Sequence, residues 1–217
     1  MKSTEKVRAY FSLVGRIRML GDHPALDLAN TLHWRDGGLL NFIPSYAALV
    51  DWAEVAGLLT KSEQAKLLSR APNCPEEASA IHQQWLALRE ALKAWLPGVD
   101  GMDQAELQTS KEDSAGRKLK VKITAMTSEA TLASYLAIEN SQMSEPSMAL
   151  PLLRSATAIW NLMTFPPAGH IRQCEADNCG GFFVDQSRAK PRRWCSMDGC
   201  GNRAKAQRHR NSLAHQH

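Results

Sequence analysis

Along most of the chain the apolar residues recur at helical spacing, and the breaks between the patterns carry helix start and stop signals. From Pro44 to Leu59 the apolar positions Tyr46, Leu49, Val50, Trp52, Ala53, Val55 and Ala56 predict a helix entered through Pro44 or Ser45 and ended by Gly57. Thr60-Lys61-Ser62-Glu63 has the form of a capping box, with Glu63 three residues after the threonine, and opens a helix to about Ala71. The longest helical candidate is Pro75 to Leu96, whose stripe of Ile81, Trp85, Leu88 and Leu92 is widened by Leu86 and Trp95 before Pro97-Gly98 stops it. Ser128 to Asn140 and the strongly apolar Ser147 to Phe165 are further helices, and Pro166-Pro167-Ala168-Gly169 reads as a linker.

Strand signals are fewer. Residues 7 to 20 mix β-branched and aromatic residues around Gly15 and read as a strand or a hairpin pair. Gly21-Asp22-His23-Pro24 breaks that pattern, and Ala25 to His33 reads as a short helix with Pro24 near its start. Residues 98 to 127 are polar and mixed, with a loop or insertion followed by Leu119-Lys120-Val121-Lys122-Ile123, which alternates like a solvent-faced strand. Together these elements predict an α+β protein in two parts: a mainly helical domain with a few strands over residues 1–165, and a smaller unit over residues 170–217.

Composition is that of an ordinary globular protein, with 44% hydrophobic and 22% charged residues in 217. No apolar run approaches the ~18 residues of a membrane span. The polar start Met1 to Glu5, and the arginines at 16 and 18, do not fit a secretory signal, so the expected compartment is the reducing cytoplasm. The net charge of +4 is unevenly placed: from His170 onward nine Lys and Arg face four acids, a net of +5, which leaves −1 for the rest.

That basic segment also holds four of the five cysteines, as two brackets, Cys174-x4-Cys179 and Cys195-x4-Cys200. Two close thiol pairs joined by a loop of this length can converge on one tetrahedral Zn²⁺, each bracket supplying one edge. Four thiolates close the coordination shell, so such a metal holds structure and activates no water. Iron is the other metal that takes a four-sulfur tetrahedron, and buried or redox-active thiols are the alternative without a metal. Zinc bound by four thiolates adds two negative charges, leaving the loaded segment at about +3. Cys74, between Asn73 and Pro75, reads as a loop residue.

Gly180-Gly181 lets the backbone turn beneath the metal, and Phe182–Val184 and Arg192–Trp194 are expected to pair as a hairpin around residues 185 to 191, with Phe183 and Trp194 as a miniature core. Asn202 to Asn211, rich in Ala, Arg, Lys and Gln, predicts a helix that is polar nearly all round. Arg203, Gln207 and Arg210 share one side of it, while Lys205, Arg208 and His209 share another. Knuckle, hairpin, knuckle and helix make a treble-clef-like unit.

The arginines suit double-stranded DNA: Arg188, Arg192, Arg193, Lys205 and Arg208 as phosphate contacts, with Ser187 beside them, and Arg203, Gln207 and Arg210 as base readers. A single small unit buries little surface, so tight binding calls for a dimer, for which Ala149 to Met163 supplies an apolar segment that could equally be core. The competing readings are a solvated basic face, a unit that docks on an acidic protein partner without binding DNA, and for Arg203 a structural bond to backbone carbonyls or to Asp185.

In the helical domain Asp27, Asn30 and Thr31 lie at i, i+3 and i+4 and would share a helical face, either lining a small-molecule pocket or capping neighbouring backbone. His23, His33 and Trp34 read as packing or surface residues. No nucleophile with a nearby histidine pattern, no phosphate loop and no carboxylate pair stands out, which argues against an enzyme.

Cys200-Gly201-Asn202-Arg203, preceded by Phe183-x-Asp185-x-Ser187-Arg188 and Arg193-Trp194-Cys195-Ser196-Met197, resembles the CGNR zinc finger family over residues 172 to 210. Gly21 with Leu26-Asp27-Leu28-Ala29-Asn30-Thr31 is similar to the opening of the ABATE domain that usually precedes that finger. The resemblance implies a bacterial-type, stress-responsive transcription regulator whose finger binds DNA and whose first domain senses a ligand.

Overall fold

The computed structural model describes residues 19–35, 38–109, 113–127, 145–177, 179–188 and 191–214. The strand or hairpin expected over 7–20 and the helix expected over 128–140 fall outside these residues, apart from Met19 and Leu20, which are in neither helix nor strand.

The helical domain opens with α1 (Pro24–Asn30), capped by His23, whose Nδ1 accepts the Ala25 amide. A two-stranded antiparallel ladder follows, β1 (Leu32–Arg35) with β2 (Gly38–Asn41), in the register Leu32↔Asn41 to Arg35↔Gly38. His33 therefore lies in a strand. The expected helix stops short of it because Thr31 caps α1, its hydroxyl donating to Leu28 O at 2.7 Å.

Three helices then form as their sequences predict: α2 (Tyr46–Val55), α3 (Lys61–Arg70) and α4 (Pro75–Trp95). Ser45 Oγ caps α2, the turn after it reaches Gly57 at φ 71°, and both bonds of the Thr60/Glu63 capping box are made. Short 3-10 turns at Ala71–Asn73 and Leu96–Val99 flank α4, and α5 (Gln104–Thr109) follows.

The strand expected at 119–123 is instead part of α6 (Ser114–Met126), entered through Asp113, whose carboxylate accepts the Gly116 amide at 2.6 Å. Alternation puts Leu119, Val121 and Ile123 on one face, whereas a helix separates Val121 from the other two. The separation is observed: Leu119 and Ile123 are buried against neighbouring helices and Val121 is 69% exposed.

The last helix of the domain, α7 (Leu150–Thr164), packs on α1, α2, α4 and α6. The apolar segment 149–163 is thus largely core, with Leu150, Leu152, Leu153, Ala156, Ile159 and Leu162 buried; Trp160, 39% exposed, and Phe165, 74% exposed just beyond it, remain at the surface. At the centre Trp52 meets Trp85 edge to face, centroids 5.5 Å apart, and Trp85 Nε1 donates to Ser155 Oγ at 3.0 Å.

The cysteine segment begins with an antiparallel pair, β3 (His170–Gln173) and β4 (Phe182–Asp185), in the register His170↔Asp185, Ile171↔Val184, Arg172↔Phe183 and Gln173↔Phe182. The partner of β4 is therefore β3 and not Arg192–Trp194. The first cysteine bracket is itself the hairpin loop. Arg192–Trp194 follows Pro191, which has no N–H to give, and the Arg192 amide goes to the Asp185 carboxylate at 2.9 Å in place of a strand.

Strand alternation divides the hairpin: Ile171, Phe182 and Val184 join the core of the helical domain, while Phe183 faces the cysteines. After a turn at Met197–Gly201, α8 (Asn202–Ala214) ends the described chain.

Candidate metal centre

Two turns bring the thiols together. Between β3 and β4, Cys174 N donates to Gly181 O at 2.7 Å and Cys179 N to Ala176 O at 3.1 Å, with Gly180 in the left-handed region at φ 68° that suits glycine. In the second bracket Ser196 closes the turn, its Oγ accepting Gly199 N at 3.2 Å and its carbonyl accepting Gly201 N at 2.9 Å.

The four Sγ atoms of Cys174, Cys179, Cys195 and Cys200 lie within 4.8 Å of one another, with Cys179–Cys195 and Cys195–Cys200 both at 3.6 Å. A disulfide needs ~2.05 Å. Sulfurs at ~2.3 Å around a tetrahedral zinc stand roughly 3.8 Å apart, which is the spacing found.

Without a cation, four thiols this close cannot all ionise. Hydrogen bonds from Cys179, Cys195 and Cys200 pull the Cys174 thiol down, while hydrogen bonding with Cys174, Cys179 and Cys200 pushes Cys195 up. A divalent ion removes the conflict by holding all four as thiolates. The donor set fits one structural zinc, and Cys74, at the entry to α4, is outside the cluster.

The surrounding arginines divide by role. Arg203 Nη2 lies 3.0 Å from Cys200 Sγ, so this side chain meets a thiolate and not Asp185. Asp185 is instead served by the Ser187 amide at 3.0 Å, the Ser187 hydroxyl at 2.6 Å and the Arg192 amide. Burial alone would raise the Asp185 carboxyl, but these bonds, with the charge of Arg172, hold it below its ordinary value. Ser187, expected near phosphates, thus braces the loop.

Arg192 is largely structural. It stacks over Phe183 at 4.4 Å, donates to the carbonyls of Trp194 and Cys195, and reaches Asp22 at 2.8 Å. Arg193 pairs with Glu175 and lies over Trp194 at 5.2 Å. On α8, Arg210 donates to Gln207 and Gln207 to Asn211, while Arg208 reaches only the carbonyl of Ala204, at 3.4 Å; Lys205 and Arg188 are exposed and have no partner among the described residues.

The polar trio of α1 sits beside the hairpin. Asn30 bonds the Phe182 backbone, Thr31 Oγ1 accepts from Arg89 Nη1 at 3.3 Å, and Asp27 Oδ1 accepts the amides of Leu20 and Gly21, both at 2.8 Å. A groove of about 490 Å³ lies elsewhere, between His23, Pro24, Leu58, Arg154, Thr157 and Asn161. Nothing in the sequence signalled either the Asn30 contact or this groove, because both join segments far apart in the chain.

Burial raises the Asp27 carboxyl to about 6, against the lowering effect of its two amide donors. A folded value above the unfolded one of ~3.9 means that stability is lost as pH rises from about 4 to about 6, and the ionised side chain is a burden above that. Asp27→Asn is therefore expected to raise stability at pH 7.5 relative to its effect at pH 4, by up to ~3 kcal/mol. Urea unfolding at the two pH values checks this, and an equal effect at both would refute it.

Helical body, paired strands and a four-cysteine cluster define an α+β zinc-finger protein. Residues 170–212 match the family model described as CGNR zinc finger, and residues 22–137 match the ABATE model, described as "Putative stress-induced transcription regulator". The second match spans more than half of the chain, which belongs to the ABATE family and carries a CGNR zinc finger behind that domain. No match was found among curated proteins or among solved structures. No helix among the described residues is long and apolar enough to cross a membrane.

Proposed function

We propose that this protein is a cytoplasmic, non-enzymatic transcription regulator whose zinc finger binds double-stranded DNA through α8 and the arginines beside it. The observation that carries this is the state of α8. Its described side chains are exposed apart from Ala204, it packs on the second cysteine turn, and it carries Arg203, Lys205, Arg208 and Arg210 with no acid. Such a helix has no apolar face with which to dock on its own protein, and its charge suits phosphate.

Arg203 belongs to the metal site in this reading, which leaves Gln207 and Arg210 to face bases and Lys205, Arg208, Arg188 and Arg193 to hold the backbone. A homodimer would present two such helices to neighbouring half-sites. The place for a sensed small molecule is the groove beside α7, since the polar atoms of Asp27, Asn30 and Thr31 are engaged with neighbouring backbone and Arg89.

The test is binding of the zinc-loaded protein to mixed genomic DNA fragments at two salt concentrations. Binding should fall with salt, and Lys205→Glu with Arg208→Glu should weaken it at least about tenfold and flatten the slope of log affinity on log salt by roughly two. Unchanged binding would remove α8 as the reader. Loss of all DNA affinity at low salt in the parent protein, with recovery of a stoichiometric acidic protein, would favour a protein-docking finger.

A further inference from the structure

The hairpin of the cysteine cluster is tied to the helical domain on both sides: β3 bonds to Asp100, Gly101 and Met102, and the bonds of β4 fall on one short stretch, residues 21 to 30. The Asn30 side chain acts as a piece of strand: its Oδ1 accepts Phe182 N and its Nδ2 donates to Phe182 O, both at 2.8 Å. Phe182 follows the Cys179 turn by three residues, and Asn30 Oδ1 lies 3.3 Å from the position a Cβ on Gly181 would occupy.

One turn earlier on α1, Asp27 fixes the amides of Leu20 and Gly21, and Gly21 O accepts Val184 N at 3.0 Å. A side chain at Gly21 would come within 2.7 Å of Leu26 Cβ, so this approach needs glycine. Asp22, held at φ 57°, meets Arg192, which also donates to Cys195 O in the second bracket. That ion pair is half exposed and adds little energy. The Asn30 bonds to a buried residue are the stronger link.

We infer that Asn30 is a positioning residue for the metal: it sets the hairpin that carries Cys174 and Cys179 against α1, and couples zinc occupancy to the order of that helix. Coupling of this kind is reciprocal. Zinc steadies α1, and whatever holds α1 in place tightens zinc.

The test uses the full chain loaded with zinc. Amide exchange of α1 is compared before and after chelation, and zinc transfer to a chromogenic chelator is timed for the parent, Asn30→Ala, Asn30→Asp and, as an exposed control on α4, Gln84→Ala. Chelation should speed α1 exchange by about tenfold or more in the parent.

Asn30→Ala should keep one zinc and its helical content yet release the metal about tenfold faster, and zinc should slow α1 exchange several-fold less in it than in the parent. Asn30→Asp, which keeps the acceptor but turns a carboxylate oxygen on Phe182 O, should also release zinc faster than the parent, and the control should match the parent. Parent α1 exchange that ignores chelation, or release from both Asn30 variants within about twofold of the parent, overturns the inference. Should Asn30→Ala fail to fold, the parent comparison and Asn30→Asp decide it.

Discussion

Removing the zinc is expected to lower the thermal midpoint of the whole chain, and not only to unfold the cysteine segment as its size and composition alone would suggest. Structural zinc contributes ~10–16 kcal/mol to finger peptides, which do not fold without it. Here the hairpin closed by the first bracket also places Ile171, Phe182 and Val184 in the core of the helical domain. Burying a side chain of this kind is worth ~1.5–3 kcal/mol, and 1 kcal/mol moves the midpoint of a chain this size by ~2–4 °C. A fall of about 10 °C or more on chelation follows, reversed by adding zinc back, with Cys195→Ser behaving like the chelated protein. Far-UV circular dichroism melts measure it. An unchanged helical transition in the metal-free protein would show that the finger and the body fold separately.

The largest effect expected from a substitution far from the metal is at Trp85. It is fully buried, packs edge to face on Trp52, donates to Ser155 Oγ and lies under the Arg89 guanidinium at 5.5 Å. Trp85→Ala removes the ring where the α2, α4 and α7 faces meet, at a cost of ~3–5 kcal/mol. Trp85→Phe keeps most of the volume and loses mainly the hydrogen bond, about 1–2 kcal/mol. Ser155 still donates to Pro151 O at 2.7 Å, so the hydroxyl is not left without a bond. Urea unfolding orders the three proteins. A loss below about 1 kcal/mol for the alanine variant would place the centre of the core elsewhere.

What was legible in the sequence was written within a turn or two of chain. The Thr60/Glu63 capping box, Ser45, Pro75 and the Ile81-Trp85-Leu88-Leu92 stripe each specify their helix locally, and the two cysteine brackets announce their metal by spacing alone.

What was not legible depends on partners distant in sequence. Leu119-Lys120-Val121-Lys122-Ile123 satisfies a strand by alternation and a helix through Leu119 and Ile123, and it is the packing of α4 and α7 that selects the helix. Arg192–Trp194 has a strand-like composition that suggests it as the partner of β4, whereas the true partner lies on the far side of the cysteine turn. Asn30 meets a residue 152 positions away, and in the sequence it is only a polar residue on a helix face.

The small sheet of the finger has both margins occupied by its own chain. Gly21 and Asn30 satisfy β4, while on β3 Ile171 exchanges bonds with Gly101 and Met102 and Gln173 donates to Asp100. Proteins that leave such margins bare invite neighbours to extend them, and the run Phe182-Phe183-Val184 is of the apolar, uncharged kind that does so readily. Zinc loss that undocks the hairpin would bare this rim, so the metal-free protein is expected to aggregate faster than the loaded form, which light scattering during chelation measures.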